Sequence, residues 1–321
     1  MLSYPRYPVL NLGSKNAIAK RIAGKSKYRE ALILLNDVID NRDKYWYDSE
    51  KSEPENEKFV RSAVGKPLGK LLKLIDAKII APHDKLVPDF IFGGLSGKNH
   101  IQAARYLLGK QRNRTLLKLD IKHFFEQIHK KRVFYFFYKK CNCSVRAARI
   151  LSGLCCVPLG PKGSGHTEES LARGFATSSR LALWCNLDLF LRLHWKAKKE
   201  LKGYDPRIAI FVDDVGITAS KIDMRHMNEF SEKVETMLAN FDVNQPLPIN
   251  LKKKDILTNE KGLEHLGLRL GRNKLTMGKK ARSRKDRISA MLKKSLSKTE
   301  KAQLLKKHKA YHIYQQQISK V

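Results

Sequence analysis

Three carboxylates carry the most chemical information in this chain. Asp213 and Asp214 stand side by side at the tip of an apolar run, Arg207-Ile-Ala-Ile-Phe-Val-Asp213-Asp214-Val-Gly-Ile217. Asp120 ends a second apolar run, Leu116-Leu-Lys-Leu-Asp120-Ile. Adjacent like charges repel, and a divalent cation is the usual reason for holding them on an apolar hairpin. Magnesium takes oxygen ligands and favours carboxylates together with substrate phosphates. Two such ions about 4 Å apart can clamp the attacking and leaving oxygens of a phosphoryl transfer. The carboxylates must then converge from separate rigid elements. A strand-end Asp120 and a hairpin-tip pair satisfy this if the two strands are neighbours.

The bulk composition narrows the substrate. Of 321 residues, 64 are Lys or Arg and 31 are Asp or Glu, a formal charge of +33. That excess exceeds what solubility requires and favours a polyanionic partner, nucleic acid before membrane. Metal-binding carboxylates in so basic a chain indicate a metal-dependent nucleotidyl transferase. No apolar run is long enough for a transmembrane helix, and Met1-Leu-Ser-Tyr-Pro-Arg has no apolar signal core, so the expected compartment is the cytoplasm. Cys141, Cys143, Cys155, Cys156 and Cys185 are an odd set without zinc-site spacing, and are expected as buried thiols.

Around these residues the pattern predicts helices over 14–40, 68–86, 132–156, 179–201 and 224–240. Asn99 and Gln102 form a capping box for a further helix to Leu108. A strand is expected over 115–121 and a hairpin over 207–220. Two short strands are expected in Glu264–Leu270 and Lys274–Met277, flanking a Gly271-Arg-Asn273 turn. Residues 48–58 and 158–170 read as exposed loops. From Arg272 onward the composition shifts to sixteen Lys or Arg against two acids, Asp286 and Glu300, with apolar residues still at helical spacing. This predicts a basic helical subdomain, with Ser297 and Glu300 as a second capping box.

Five motifs, taken in order, resemble those of the reverse transcriptases. Leu119-Asp120-Ile121-Lys-His-Phe124-Phe125-Glu-Gln-Ile128 looks like the first palm motif. Arg173-Gly174-Phe-Ala-Thr177-Ser178-Ser179 resembles the second. Phe211-Val212-Asp213-Asp214 resembles the Tyr-x-Asp-Asp box, Asn250-Leu-Lys-Lys253 the Asn-x-x-Lys of the next motif, and Leu266-Gly267-Leu268 the primer-grip hairpin. Each is weak alone; their order makes the joint reading. The resemblance covers roughly residues 55–290.

It implies an α+β right-hand polymerase. Residues 1–114 would be N-terminal helices and fingers, 115–271 a palm of antiparallel sheet backed by helices, and 272–321 a small basic thumb. Asp120 and Asp213 would ligate two Mg2+ ions, with Mn2+ as a substitute, supported by Asp214 and the Ile121 carbonyl. Phe125 would be the steric gate that selects deoxynucleotides. Arg61, Lys66, Arg173, Gly174 and Phe211 would line the nucleotide site, with Gly174 allowing close approach of template–primer. Lys253 would protonate the leaving pyrophosphate, although Lys252 and Lys254 are equally basic. Asn99, Lys279, Lys280, Arg282, Arg284 and Lys285 would contact nucleic acid. The implied partners are an RNA template, a DNA product and deoxynucleoside triphosphates; a second copy or a partner protein stays open.

The departures matter as much. Phe211 replaces the usual tyrosine, Ala172-Arg173 replaces Pro-Gln, and Ser179 replaces proline. The retron signatures Asn-Ala-x-x-His and Val-Thr-Gly are missing, with Gln102-Ala-Ala-Arg-Tyr106 and His265-Leu-Gly267 in their places. The resemblance is therefore greater to the bacterial "unknown group" enzymes, many tied to antiphage defence. It implies an RNA-directed DNA polymerase copying a dedicated non-coding RNA. A template-independent or protein-primed polymerase and an inactive RNA-binding scaffold remain as alternatives.

Overall fold

The computed structural model describes residues 6–109, 113–242, 246–293 and 297–320. The first five residues, read as lacking a signal core, lie outside the described residues. Among the described residues no helix is long and apolar enough to cross a membrane.

The chain opens with α1 (Lys15–Asn41), capped by Ser14 and kinked at Gly24. The expected loop at 48–58 is largely exposed, but its flanks close as a hairpin of β1 (Tyr47–Asp48) and β2 (Arg61–Ser62). An Asp48–Arg61 ion pair and a Val60 amide donating to Ser52 Oγ at 2.9 Å hold it shut. Helix α2 (Pro67–Ile75) does not run evenly to residue 86. It widens to Ile80 and tightens to Leu86, where Pro82 cannot supply a helical amide. Next comes α3 (His100–Leu108), with both halves of the Asn99–Gln102 capping box formed.

Strand β3 (Arg114–Asp120) is followed by α4 (Lys130–Tyr135) and α5 (Val145–Cys155). The 158–170 loop also closes at its ends, as β4 (Cys156–Pro158) against β5 (Glu169–Leu171). The apolar stretch 179–201 is two helices, α6 (Ser178–Cys185) and α7 (Leu187–Glu200). The break is Asn186, fully buried, which donates to the Ala182 carbonyl and accepts from Arg132. An apolar pattern reads straight across such a residue, because its partners are distant in sequence.

The hairpin is β6 (Arg207–Phe211) and β7 (Asp214–Ser220), backed by α8 (Met224–Ala239) and joined later by β8 (Asp255–Leu257). These form an antiparallel sheet in the order β6-β7-β3-β8. The strand expected through Leu270 folds back at Leu266 and Gly267, both left-handed, giving β9 (Leu263–His265) and β10 (Leu268–Leu270). With β11 (Leu275–Met277) they make a second small sheet. Helices α9 (Lys279–Met291) and α10 (Lys298–Lys320) complete the order, and the Ser297–Glu300 capping contacts are present.

Strand alternation divides the central sheet. Leu117, Leu119, Ile208, Ile210, Val215 and Ile217 belong to the main core, with α7 and α8 residues such as Phe190, Phe230 and Val234. Leu116 and Ala209 belong to a second core with α3, β9–β11 and Ile318 of α10. All five cysteines are free thiols, four of them buried, and burial raises their pKa values.

Edge strand β6 is extended by residues 90–92. Ile210 donates to Phe90 O at 2.9 Å, and Phe92 donates to Ile210 O at 2.8 Å. This segment carries Gly93 directly under the hairpin turn. A Cβ there would lie 2.5 Å from the Val212 amide nitrogen and 2.9 Å from the Phe211 carbonyl carbon. Backbone cannot yield as a flexible side chain can. Gly93→Ala is therefore expected to destabilise the chain by about 1–3 kcal/mol, read as a lower midpoint in urea unfolding.

Candidate active site

The register of the two central strands brings the carboxylates together. Asp120 pairs with Asp214 at the end of the β3–β7 ladder, and Asp214 pairs with Phe211 across the hairpin. Residues facing each other in a ladder share a side of the sheet, so Asp120 and Asp214 lie on the same face as Leu116 and Ala209, the face that packs on α3. The turn between is Val212-Asp213. Val212 sits at φ 61°, a conformation that a β-branched residue rarely adopts. The tip is locked to β3 by the Ile121 amide, which donates to the Asp213 carbonyl at 3.1 Å.

The electrostatics arise from that packing. Burial, then the charges of Asp213 and Asp120, push the Asp214 carboxyl up to about 6. Asp213 is also raised, by burial first and by Asp120 in addition. Lys253 counters this charge: its Nζ donates to Asp120 Oδ1 at 2.8 Å. The turn from Asn250 brings it there, anchored by the Asn250 amide on the Asp120 carbonyl at 2.8 Å. Lys254 is instead paired with Glu235, and Lys252 is exposed, so of the three lysines the fold delivers Lys253 to the carboxylates.

The donor set suits a hard divalent cation, being oxygens only, held among buried strand ends. It is not gathered into a finished cage. Among the described residues no three His, Cys, Asp or Glu side chains are arranged to hold a metal ion. The Asp120 carboxylate is instead met by the Lys253 ammonium at 2.8 Å. The Ile121 carbonyl is not used in the bridge between Ile121 and Ile249, whose bonds run through Asp120 and Lys122.

Arg173 is the second cation near the carboxylates. Its Nε and Nη2 both donate to Glu126 at 2.9 Å, and its guanidinium lies 5.0 Å from the Phe125 ring centroid. Burial works against its charge, but Glu126, and behind it Asp213 and Asp120, raise its pKa further. Glu126 escaped the sequence reading. The available signal was an acid directly after Phe125 together with an arginine at position 173, directly before Gly174.

Other expected residues are placed differently. Arg61 is 4% exposed, ion-paired with Asp48 and donating to the Pro158 and Gly160 carbonyls, so its charge is already committed. Gly174, at φ 101°, makes its close approach to protein: a Cβ there would lie 2.5 Å from the Arg61 carbonyl oxygen. Lys66 is exposed ahead of α2. Phe211 meets His100 edge-on at 6.4 Å, and His100 bonds the Tyr314 hydroxyl of α10 at 2.9 Å. Asn99 uses its Oδ1 to cap α3. Lys279, Lys280, Arg282 and Arg284 are exposed on α9, and Lys285 bonds Gln315 of α10 at 2.7 Å.

No protein-family model matches the chain. Over 179 residues the chain is 26% identical to the retron Ec48 reverse transcriptase of Escherichia coli. The match takes in 53% of this chain and 38% of that protein. The similarity is to a retron enzyme although the retron signatures are replaced here, and it supports the reverse transcriptase family without deciding the group within it.

Proposed function

We propose that this chain is an RNA-directed DNA polymerase that adds deoxynucleotides to a 3′-hydroxyl, using two Mg2+ ions held by Asp120, Asp213 and Asp214. The observation that carries the reading is the register of Asp120 against Asp214, with Asp213 at the locked tip. Bound there, the ions would activate the hydroxyl and neutralise charge on the transferring phosphate. Lys253, whose Nζ donates to Asp120, would protonate the leaving pyrophosphate. Phe125 walls the sugar and Arg173 borders the nucleotide. The exposed cations of α9 would grip a duplex backbone in a sequence-independent, salt-sensitive manner. A dedicated non-coding RNA is the proposed template, and antiphage defence is the role that the family resemblance implies.

A template-independent or protein-primed polymerase is the second reading. It is favoured by Arg173 standing where the family has an amide and being tied down by Glu126. Sequencing the product separates the two: a defined sequence means templating, a random or homopolymeric one does not. An inactive scaffold is the third.

Three results are expected. Asp213→Asn should lower Mg2+-dependent primer extension by about a hundred- to a thousandfold while leaving RNA binding intact, the scale of losing a central electrostatic contact. Equal inactivity of wild type and variant, with equal RNA binding, would leave only the scaffold.

RNase treatment of the purified protein should abolish deoxynucleotide incorporation unless RNA is added back. Undiminished synthesis would remove the RNA-directed version.

The third concerns pH. Asp214 is raised from 3.8 to about 6, so its contribution to stability is full below 3.8 and is lost as pH rises through about 6. Without divalent cations, the wild type should lose on the order of 2 kcal/mol relative to Asp214→Asn between pH 4 and 7. Adding Mg2+ at pH 7 should recover much of that difference. Thermal melts of both proteins across this range measure it, and parallel curves would contradict the electrostatic account.

A further inference from the structure

Glu126 touches none of the three carboxylates' proposed chemistry, yet it is the anchor of the cation beside them. We propose that Glu126 is a positioning residue that sets sugar discrimination by holding Arg173 over the Phe125 ring. This rests on the polymerase reading.

A two-point contact fixes the plane of a guanidinium as well as its position, and Glu126 makes both contacts at 2.9 Å. The pair is largely dry, with side-chain exposures of 17% for Arg173 and 19% for Glu126. So oriented, the guanidinium lies over the Phe125 ring, a favourable cation–π arrangement. The same ring meets Phe124 edge-on at 5.7 Å, and Phe124 is fully buried against Phe190. Phe125 is thus held by a core aromatic and by a clamped cation. A ring so held cannot swing aside for a 2′-hydroxyl.

The clamp also resolves a competition. After Glu126, the charges acting on Arg173 are Asp213 and Asp120. Without Glu126 the guanidinium would be drawn toward those carboxylates and off the ring. A cavity of about 490 Å³ borders the pair on the side of His123, Gln127 and His166, so the clamp is held by its own two contacts and not by close packing on that side. Glu126 therefore keeps Arg173 out of the carboxylate cluster and on the sugar wall.

The test is primer extension in Mg2+ on an RNA template annealed to a DNA primer, comparing dTTP with UTP opposite adenine. Wild type should prefer dTTP. In Glu126→Gln the ratio of kcat/KM for dTTP over UTP should fall about tenfold, mainly through a lower KM for UTP, the scale of one charge-assisted hydrogen bond. Arg173→Lys, which keeps the charge but loses the planar fork, should shift the ratio in the same direction, and it decides if Glu126→Gln does not fold. A merely structural pair would lower the melting temperature and slow both substrates alike, so an unchanged ratio in a folded variant overturns the proposal alone. A wild type that incorporates neither nucleotide overturns the polymerase reading and this proposal with it.

Discussion

The site depends on one backbone contact, the Ile121 amide on the Asp213 carbonyl. It closes the β3–β7 ladder at the end where the carboxylates stand. A slip of one residue would turn Asp120 or Asp214 to the opposite side of the sheet, into the main core, where an unpaired carboxylate is far costlier. The apolar pattern on both faces forbids that slip. Packing on the two sides of the sheet therefore fixes the register, and the register brings the charges together.

Neutralisation of those charges is graded. Lys253 meets Asp120 directly, while Arg173 stands behind with its charge largely spent on Glu126. Asp213 and Asp214 are left with raised pKa values, and among the described residues neither is ion-paired with a cation as Asp120 is. The fold thus tolerates unfavourable charge at one point and surrounds it with well-packed structure. Arg180, nearly buried, ties Asp76, Asp84 and Ser96 together behind the segment that carries Gly93. That segment in turn supports the strained Val212 turn.

The parts legible in the sequence are those governed by local rules. Short apolar runs bounded by polar residues placed β3 and the Asp-Asp hairpin, and side-chain spacing placed the caps at Asn99 and Ser297. What escaped was decided by partners far along the chain. Asn186 breaks a helix because Arg132 and a carbonyl one turn back satisfy it in the break. Arg61 looks like a free cation until Asp48 and the Gly160 carbonyl claim it. Gly174 reads as a place for substrate to approach, but its near neighbour is the Arg61 backbone. Glu126 has meaning only once Arg173 lies beside it. Of the candidate site, the carboxylates could be read from types and spacing, while the cations could not be sorted by sequence into committed and available.

The sheet order has a consequence in time. Arg114, at the far end of β3, bonds Thr218 on β7 across 104 residues, and Lys253 reaches Asp120 across 133. Contacts between such distant segments require large loops to close before they return any stabilisation, so they form late in folding. Asp120 and the Asp213–Asp214 pair are then far apart through most of that process and meet only as the ladder zips to its end. Their repulsion belongs to the finished protein, and relieving it should slow unfolding more than it hastens folding.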